Sequence, residues 1–382
     1  MRAILFLAAV GVLAAGACSG GSLNGGAGAT GGTSSGGTGG SAAAGAPGSP
    51  WINRTAGTPA SQDQGITWLG LASDASGSHL VAVTAAAPPN ESGDIWTSAD
   101  SGATWTNRTA GTQAAGQTWV SVASDATGAH LVALAERSAQ TDRDVWTSAD
   151  GGATWTQRMR LLGEGGLDVA SDATGTNLVV IDGGDVWTSP DSGLTWTDQT
   201  AGTSLEGKIS GTVASDATGA HLVAMTPGAD IWTSWDAGRT WINRTEGTSA
   251  TGLHWNGVAS DATGTHLVAV CAGLAELDGV SDSGASIFGE IWASDDSGVT
   301  WAARTHGTSA SNQQWVGVAS LSSGTNLIAT SFQDVWTSRD HGVTWTNDTA
   351  GTVASGQLQG PIASNATGTH FLAASYGDLW TR

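Results

Sequence analysis

Ser98-Ala99-Asp100-Ser101-Gly102-Ala103-Thr104-Trp105 is one of six copies of a single pattern. The pattern, Ser-x-Asp-x-Gly-x-Thr-Trp, returns at Ser148–Trp155, Ser189–Trp196, Ser234–Trp241, Ser294–Trp301 and Ser338–Trp345. An acidic residue, an aliphatic and a Trp precede each copy, as in Asp94-Ile95-Trp96. Asp and Gly at these places are turn residues, so each copy reads as a tight hairpin between two strands. A hairpin that recurs at intervals of tens of residues marks a repeat architecture.

A second marker counts the units. Val122-Ala123-Ser124-Asp125-Ala126-Thr127-Gly128-Ala129-His130-Leu131-Val132-Ala133 has relatives beginning at Leu71, Val169, Val213, Val258, Val318 and Ile362, which makes seven copies. Residues 51–382 then divide into units of about 47, the length of a propeller blade. Within one unit, Trp119–Ser124 reads as an inner strand A and Asp125–Gly128 as a turn. His130–Ala135 follows as strand B, Asp144–Ser148 as strand C and Thr154–Arg158 as strand D. Strand B is a near-continuous apolar run, as expected where both faces of a sheet are covered. Hairpins number six and units seven because the chain ends in a strand C, Asp378-Leu379-Trp380-Thr381-Arg382. It opens its folded part with Trp51-Ile52-Asn53-Arg54-Thr55, a match to the strand D segment Trp241–Thr245. The expectation is an all-β, seven-bladed β-propeller of four-stranded blades, its ring closed by the N-terminal strand completing the C-terminal blade, so that few sheet edges stay open.

Net charge is −20, which argues against nucleic acid or an anionic lipid surface as partner, since a phosphate backbone needs a basic face. Much of the acidity belongs to repeated positions. These are the six hairpin Asp (Asp100, Asp150, Asp191, Asp236, Asp296, Asp340), the turn residues Asp74, Asp125, Asp172, Asp216 and Asp261, and the acids before strand C, Asp94, Asp144, Asp185, Asp230, Glu290, Asp334 and Asp378.

Met1-Arg2 and the apolar run Ala3–Ala15 form a short positive region and a hydrophobic region, too short to span a bilayer as a mature helix. Ala15-Gly16-Ala17-Cys18 resembles the lipobox of bacterial lipoproteins, which implies a signal peptide over 1–17 and acylation of Cys18. The position three before the Cys is Ala15 rather than the usual Leu. Residues 18–50 are rich in Gly, Ser and Ala and read as a flexible tether with a reach of about 30 Å. The protein is thus expected to be exported and held in the cell envelope by its lipid, as a monomer. Cys271 is the one other cysteine, so the domain 51–382 would hold no disulfide, and a buried thiol is the plain expectation.

Over residues 51–382 the hairpin resembles the Asp-box, or BNR repeat, of a superfamily that includes sialidases, xyloglucan hydrolases, sortilin-type receptors and the photosystem II assembly factor. That resemblance implies a propeller whose boxes are structural. It leaves function to be argued from sites. The sialidase Arg-Ile-Pro motif is missing, and five Arg (Arg54, Arg108, Arg158, Arg244, Arg304) are dispersed at one strand D position. Paired catalytic carboxylates would be sought in the long loop Ala272–Gly289, which carries Glu276, Asp278 and Asp282. Five His (His79, His130, His221, His266, His370) repeat on different blades, too far apart to share a metal, and no metal or cofactor is expected.

Fourteen of the 19 Trp lie in strands C and D, and Trp235 lies inside a hairpin. Trp68, Trp119, Trp255 and Trp315 stand at the entrance to strand A in units one, two, five and six only, so the fold does not require them. An exposed indole there would suit a sugar ring or a protein hot spot, whereas a buried one would be inter-blade filler. The expected function is non-catalytic binding of glycan or protein on the loop face, by these four Trp with Glu276, Asp278 and Asp282. Glycoside hydrolysis and an assembly or scaffold role are the alternatives.

Overall fold

The computed structural model of the chain describes residues 19–20, 50–60, 66–85, 93–136, 142–162, 166–226, 230–271, 289–375 and 377–382. Seven antiparallel sheets form the seven blades, each with strands in the order A–B–C–D, and no α-helix occurs among the described residues. The inner strands A are Trp68–Ser73, Thr118–Ser124, Leu167–Ser171, Val213–Ser215, Trp255–Ser260, Trp315–Ser320 and Leu358–Ser364. In blade one, strand A is followed by B at Leu80–Thr84, C at Ile95–Ser98 and D at Thr106–Asn107. Ser19–Gly20 adds a short pairing to strand A of blade six.

Ring closure is as expected. Strand Ile52–Asn53 pairs with Leu379–Thr381, Ile52 opposite Thr381 and Asn53 opposite Trp380. The strands B are buried throughout or nearly so, which explains their unbroken apolar runs: each blade is covered on both faces by its neighbours.

Hydrogen bonding explains why each hairpin needs four of its five fixed residues, the Ser, Asp, Gly and Thr. The Ser98 hydroxyl donates to Asp100 Oδ1 (2.8 Å) and accepts from the Gly102 amide (2.8 Å). Asp100 in turn accepts from the Thr104 amide and hydroxyl at 2.8 and 2.7 Å. The same bonds recur in the other five copies, as at Ser189–Thr195 and Ser338–Thr344. Thr104's hydroxyl and amide hold the Asp100 carboxyl below the ordinary carboxylate range.

The acids before strand C serve their own blades. Asp378 binds Asn53 Nδ2 (3.0 Å) and Thr55 Oγ1 (3.1 Å), and Asp230 and Asp334 repeat the arrangement with Asn243–Thr245 and Asn347–Thr349. They clamp strand D and its following turn onto strand C.

The A–B turns lock the ring. Ala75 N donates to Ala126 O, and the bond passes in sequence through Ala173, Ala217, Ala262, Ser322 and Ala366, whose amide returns to Ala75 O, at 3.0–3.3 Å throughout. Within five of these turns a buried Asp gathers local donors, and in blade seven Asn365 takes that place. Asp74 takes the amides of Gly77 and His79 and the His79 ring, and Leu321 stands at this place in blade six. Gly128 (φ +76) leaves only 2.5 Å from its would-be Cβ to the Cβ of His79 in the neighbouring blade. Gly128→Ala therefore combines left-handed strain with a backbone-level clash and is expected to cost about 2 kcal/mol or more. Gly111→Ala, at φ +75 with nothing within 4 Å, carries only the strain, about 1 kcal/mol. Urea unfolding of the two variants checks the order, and equal losses would contradict the tight inter-blade seam.

Candidate functional site

The four strand-entrance indoles are inside the blades. Trp68 is 2% exposed, and Trp119, Trp255 and Trp315 are 0%. The ladder shifts by one residue after each of them, between Trp68 and Gly70, Trp119 and Ser121, Trp255 and Gly257, and Trp315 and Gly317. Such a bulge re-aims a side chain, and here the indole meets the Trp of strand C, of strand D or of both in its own blade. Trp119 lies 6.0 Å from Trp146 and 6.1 Å from Trp155, and Trp315 lies 6.2 Å from both Trp336 and Trp345. Of the two readings that the sequence left open for these indoles, their burial matches packing filler and not an exposed aromatic platform. The small residue two places after each Trp (Gly70, Ser121, Gly257, Gly317) was the signal of the bulge. Glu276, Asp278, Asp282 and Cys18 lie outside the described residues. Cys271 is buried beside Glu290, and burial pushes its thiol up to about 11, which makes it a poor nucleophile.

Blade two departs from the repeat. Its strands B, C and D are Leu131–Glu136, Arg143–Ser148 and Thr156–Leu161, six residues each, while strand D in the other blades has two. The cause is local. Elsewhere strand D runs into a Thr-x-Gly-Thr turn, as at Thr55–Thr58, where the Asn53 side chain caps the amides of Thr55 and Ala56. Blade two has Met159-Arg160-Leu161-Leu162 there, which cannot make that turn, so the strand continues to the loop end of the ring.

Charge gathers on this extension. Arg143, 7% exposed, holds Asp182 of blade three at 2.6 Å and Glu136 at 3.8 Å. Burial raises the Glu136 carboxyl above its ordinary range. Arg143 opposes that shift and Asp182 adds to it. Gln157 binds Asp144 (2.6 Å), Arg158 binds Thr147 (2.7 Å) and Arg160 pairs with Asp142. Thr156, Gln157, Arg158 and Arg160 are exposed along the outer edge, and Leu162 beyond them is 74% exposed.

Deeper in the ring, Asp168 of blade three is 0% exposed. It accepts from Ser121 Oγ in blade two, Val213 N in blade four and its neighbour Val169 N, each at 2.8 Å. Burial outweighs these three donors and pushes its carboxyl up to about 8. The five repeat His are on separate blades, yet His266 lies beside Asp295 and His341, a grouping that sequence spacing did not reveal.

The chain is a seven-bladed β-propeller with one enlarged, charged blade. It is similar in structure to YCF48 bound to D1 peptide (18% identity, 87% of this chain and 96% of that one, TM-score 0.58). YCF48 from Cyanidioschyzon merolae matches at 13% identity, over 87% and 98% of the two chains, with a TM-score of 0.58. The GH74 xyloglucanase from Xanthomonas campestris matches at 17% identity over 87% of this chain, also with a TM-score of 0.58, but this chain spans only 53% of it. At these identities the shared property is the fold. No protein-family model matches the chain, and no curated protein matches it by sequence.

Proposed function

We propose that this chain is an exported, lipid-anchored, non-catalytic Asp-box propeller that binds an extended polypeptide along the outer edge of blade two. The long strand Thr156–Leu161 carries the reading. It is the outermost strand of its sheet and exposed along most of its length, a position suited to strand addition. Arg158 and Arg160 place two exposed guanidinium groups along this edge of a chain of net charge −20, which favours an acidic segment. Burial of the four indoles removes the strand-entrance platform for a sugar ring. A propeller of the same fold holding a peptide is in keeping with this mode.

Glycoside hydrolysis is a second reading, favoured by the raised Glu136 carboxyl sharing Arg143 with Asp182, since two carboxyls held in different environments can serve as an acid–base pair. Both are tested on one panel of acidic, neutral and basic peptides and plant and bacterial polysaccharides, scored for retention and for released reducing ends. Retention of acidic peptides, weakened about tenfold by Arg160→Glu, is the expected result. Retention of polysaccharide alone would overturn it. Sugar release abolished by Glu136→Gln would install the hydrolase instead.

A further inference from the structure

We propose that the seam between blades five and six is a binding site for one zinc-class divalent cation, held by His266, Asp295 and His341. One ring nitrogen from each His and one Asp295 oxygen lie within 4.8 Å of one another. The imidazole centroids are 4.5 Å apart and tilted by 33°. Tetrahedral zinc with bonds of about 2.0–2.2 Å needs ligand atoms roughly 3.3 Å apart, so closure asks only for side-chain movement of about an ångström. Two imidazoles and one carboxylate favour zinc and its late first-row neighbours over magnesium or calcium.

The partners of each group fit this use. His266 Nδ1 is already bonded to Asp261 Oδ2 at 3.0 Å, which leaves Nε2 for the metal. That carboxylate–imidazole arrangement is what orients metal-bound His elsewhere. His341 Nδ1 is buried with no hydrogen-bond partner, and its other nitrogen makes one long contact, 3.4 Å, to Thr325 Oγ1. A buried imidazole nitrogen without a partner is costly, and a cation would satisfy it. Asp295 Oδ2 pairs with Arg304 at 2.7 Å, so the other oxygen is the one to offer.

The equivalent clefts show that the fold does not require these three residues. Between blades one and two the same places hold His79, Ala99 and Gly151. Between blades three and four they hold Asn177, Pro190 and Ala237, and between four and five His221, Trp235 and Ser297. Only at the blade five–six seam, among these, do all three places carry ligating side chains. His341 moreover sits at φ +57, where Ser, Ala or Gly serves in the other hairpins.

The test is a zinc titration of the chelator-stripped full chain by calorimetry, with melting followed with and without zinc. One equivalent is expected to bind and raise the melting temperature, and magnesium is expected to do neither. His341→Ser and Asp295→Ala install residues that other hairpins already carry, so both should fold as the parent does. Each is expected to weaken zinc binding by at least about tenfold and to remove the zinc-dependent rise in melting. No binding, or binding unchanged in both variants, would overturn the proposal. The result is independent of the polypeptide reading, because the seam does not include blade two.

Discussion

Trp51→Ala is expected to cost about 3–5 kcal/mol, the usual loss for a buried Trp, and a chain shortened to begin at Gly57 is expected not to reach a folded ring. Trp51 is 2% exposed, belongs to the largest apolar cluster and stacks on Phe371 at 6.3 Å. The next four residues fasten the ends of the ring together. Arg54 N donates to Leu379 O (2.8 Å), Leu379 N donates to Thr55 Oγ1 (2.8 Å), and Arg54 Nε donates to Thr381 Oγ1 (2.6 Å). Removing them leaves Leu379–Thr381 as an unprotected edge and Asp378 without Asn53 and Thr55. Those losses fall on one blade, but blades share their faces. Opening one seam therefore exposes both neighbours, against a total domain stability of only about 5–15 kcal/mol. Ile52→Ala is the control, since Ile52 is 43% exposed and its loss should stay within about 0.5 kcal/mol. Urea unfolding with size-exclusion chromatography reads all three. A shortened chain that melts cooperatively near the parent temperature would show that closure by this strand does not hold the ring.

The ring was legible because its signals are local. Ser98, Asp100, Gly102 and Thr104 bond to one another within seven residues, so their spacing is the structure. The split blade was legible for the same reason: Trp51–Thr55 and Asp378–Arg382 carry the two halves of a pattern seen whole six times. What escaped was set by contacts across the fold or by a residue missing from a pattern. The four indoles face inward because of a one-residue shift against strand B, which no count of tryptophans shows. Blade two is tall because Met159 stands where Thr-x-Gly-Thr begins elsewhere. His266, Asp295 and His341 meet only because blade five lies against blade six. In a repeat protein the consensus describes the scaffold, so departures from it are where particular chemistry is to be sought. Met159, Asp295 and His341 are three such departures, and each was visible as a mismatch before its partner was known.

Stability is expected to be highest near pH 4–5 and to fall as the pH rises toward 8, with Asp168 the main cause. Its carboxyl titrates at about 8 in the folded chain against an ordinary value of 3.8. Between those values the unfolded chain has released a proton that the folded chain keeps. Unfolding is then favoured by rising pH, with a slope of up to roughly 1.4 kcal/mol per pH unit, and the effect ends above about 8. Glu136 is also raised, so it acts in the same direction just above its ordinary value. The six hairpin Asp act oppositely. Asp100 and Asp191 are held low by their Thr partners, and at Asp150, Asp236, Asp296 and Asp340 partial burial is outweighed by the same bonds. Their contribution is present above 3.8 and is lost only as the pH falls through their lower folded values, which sets the acid side of the maximum. Asp168→Asn keeps the volume and carries no charge at any pH. Altered hydrogen bonding to Ser121, Val169 and Val213 adds an offset that does not vary with pH, so the informative quantity is the slope. Urea unfolding at pH 5, 6, 7 and 8 is expected to show a decline in the parent that is largely absent in Asp168→Asn. Parallel curves would mean that the folded chain holds Asp168 ionised, with three converging donors outweighing the cost of burying its charge.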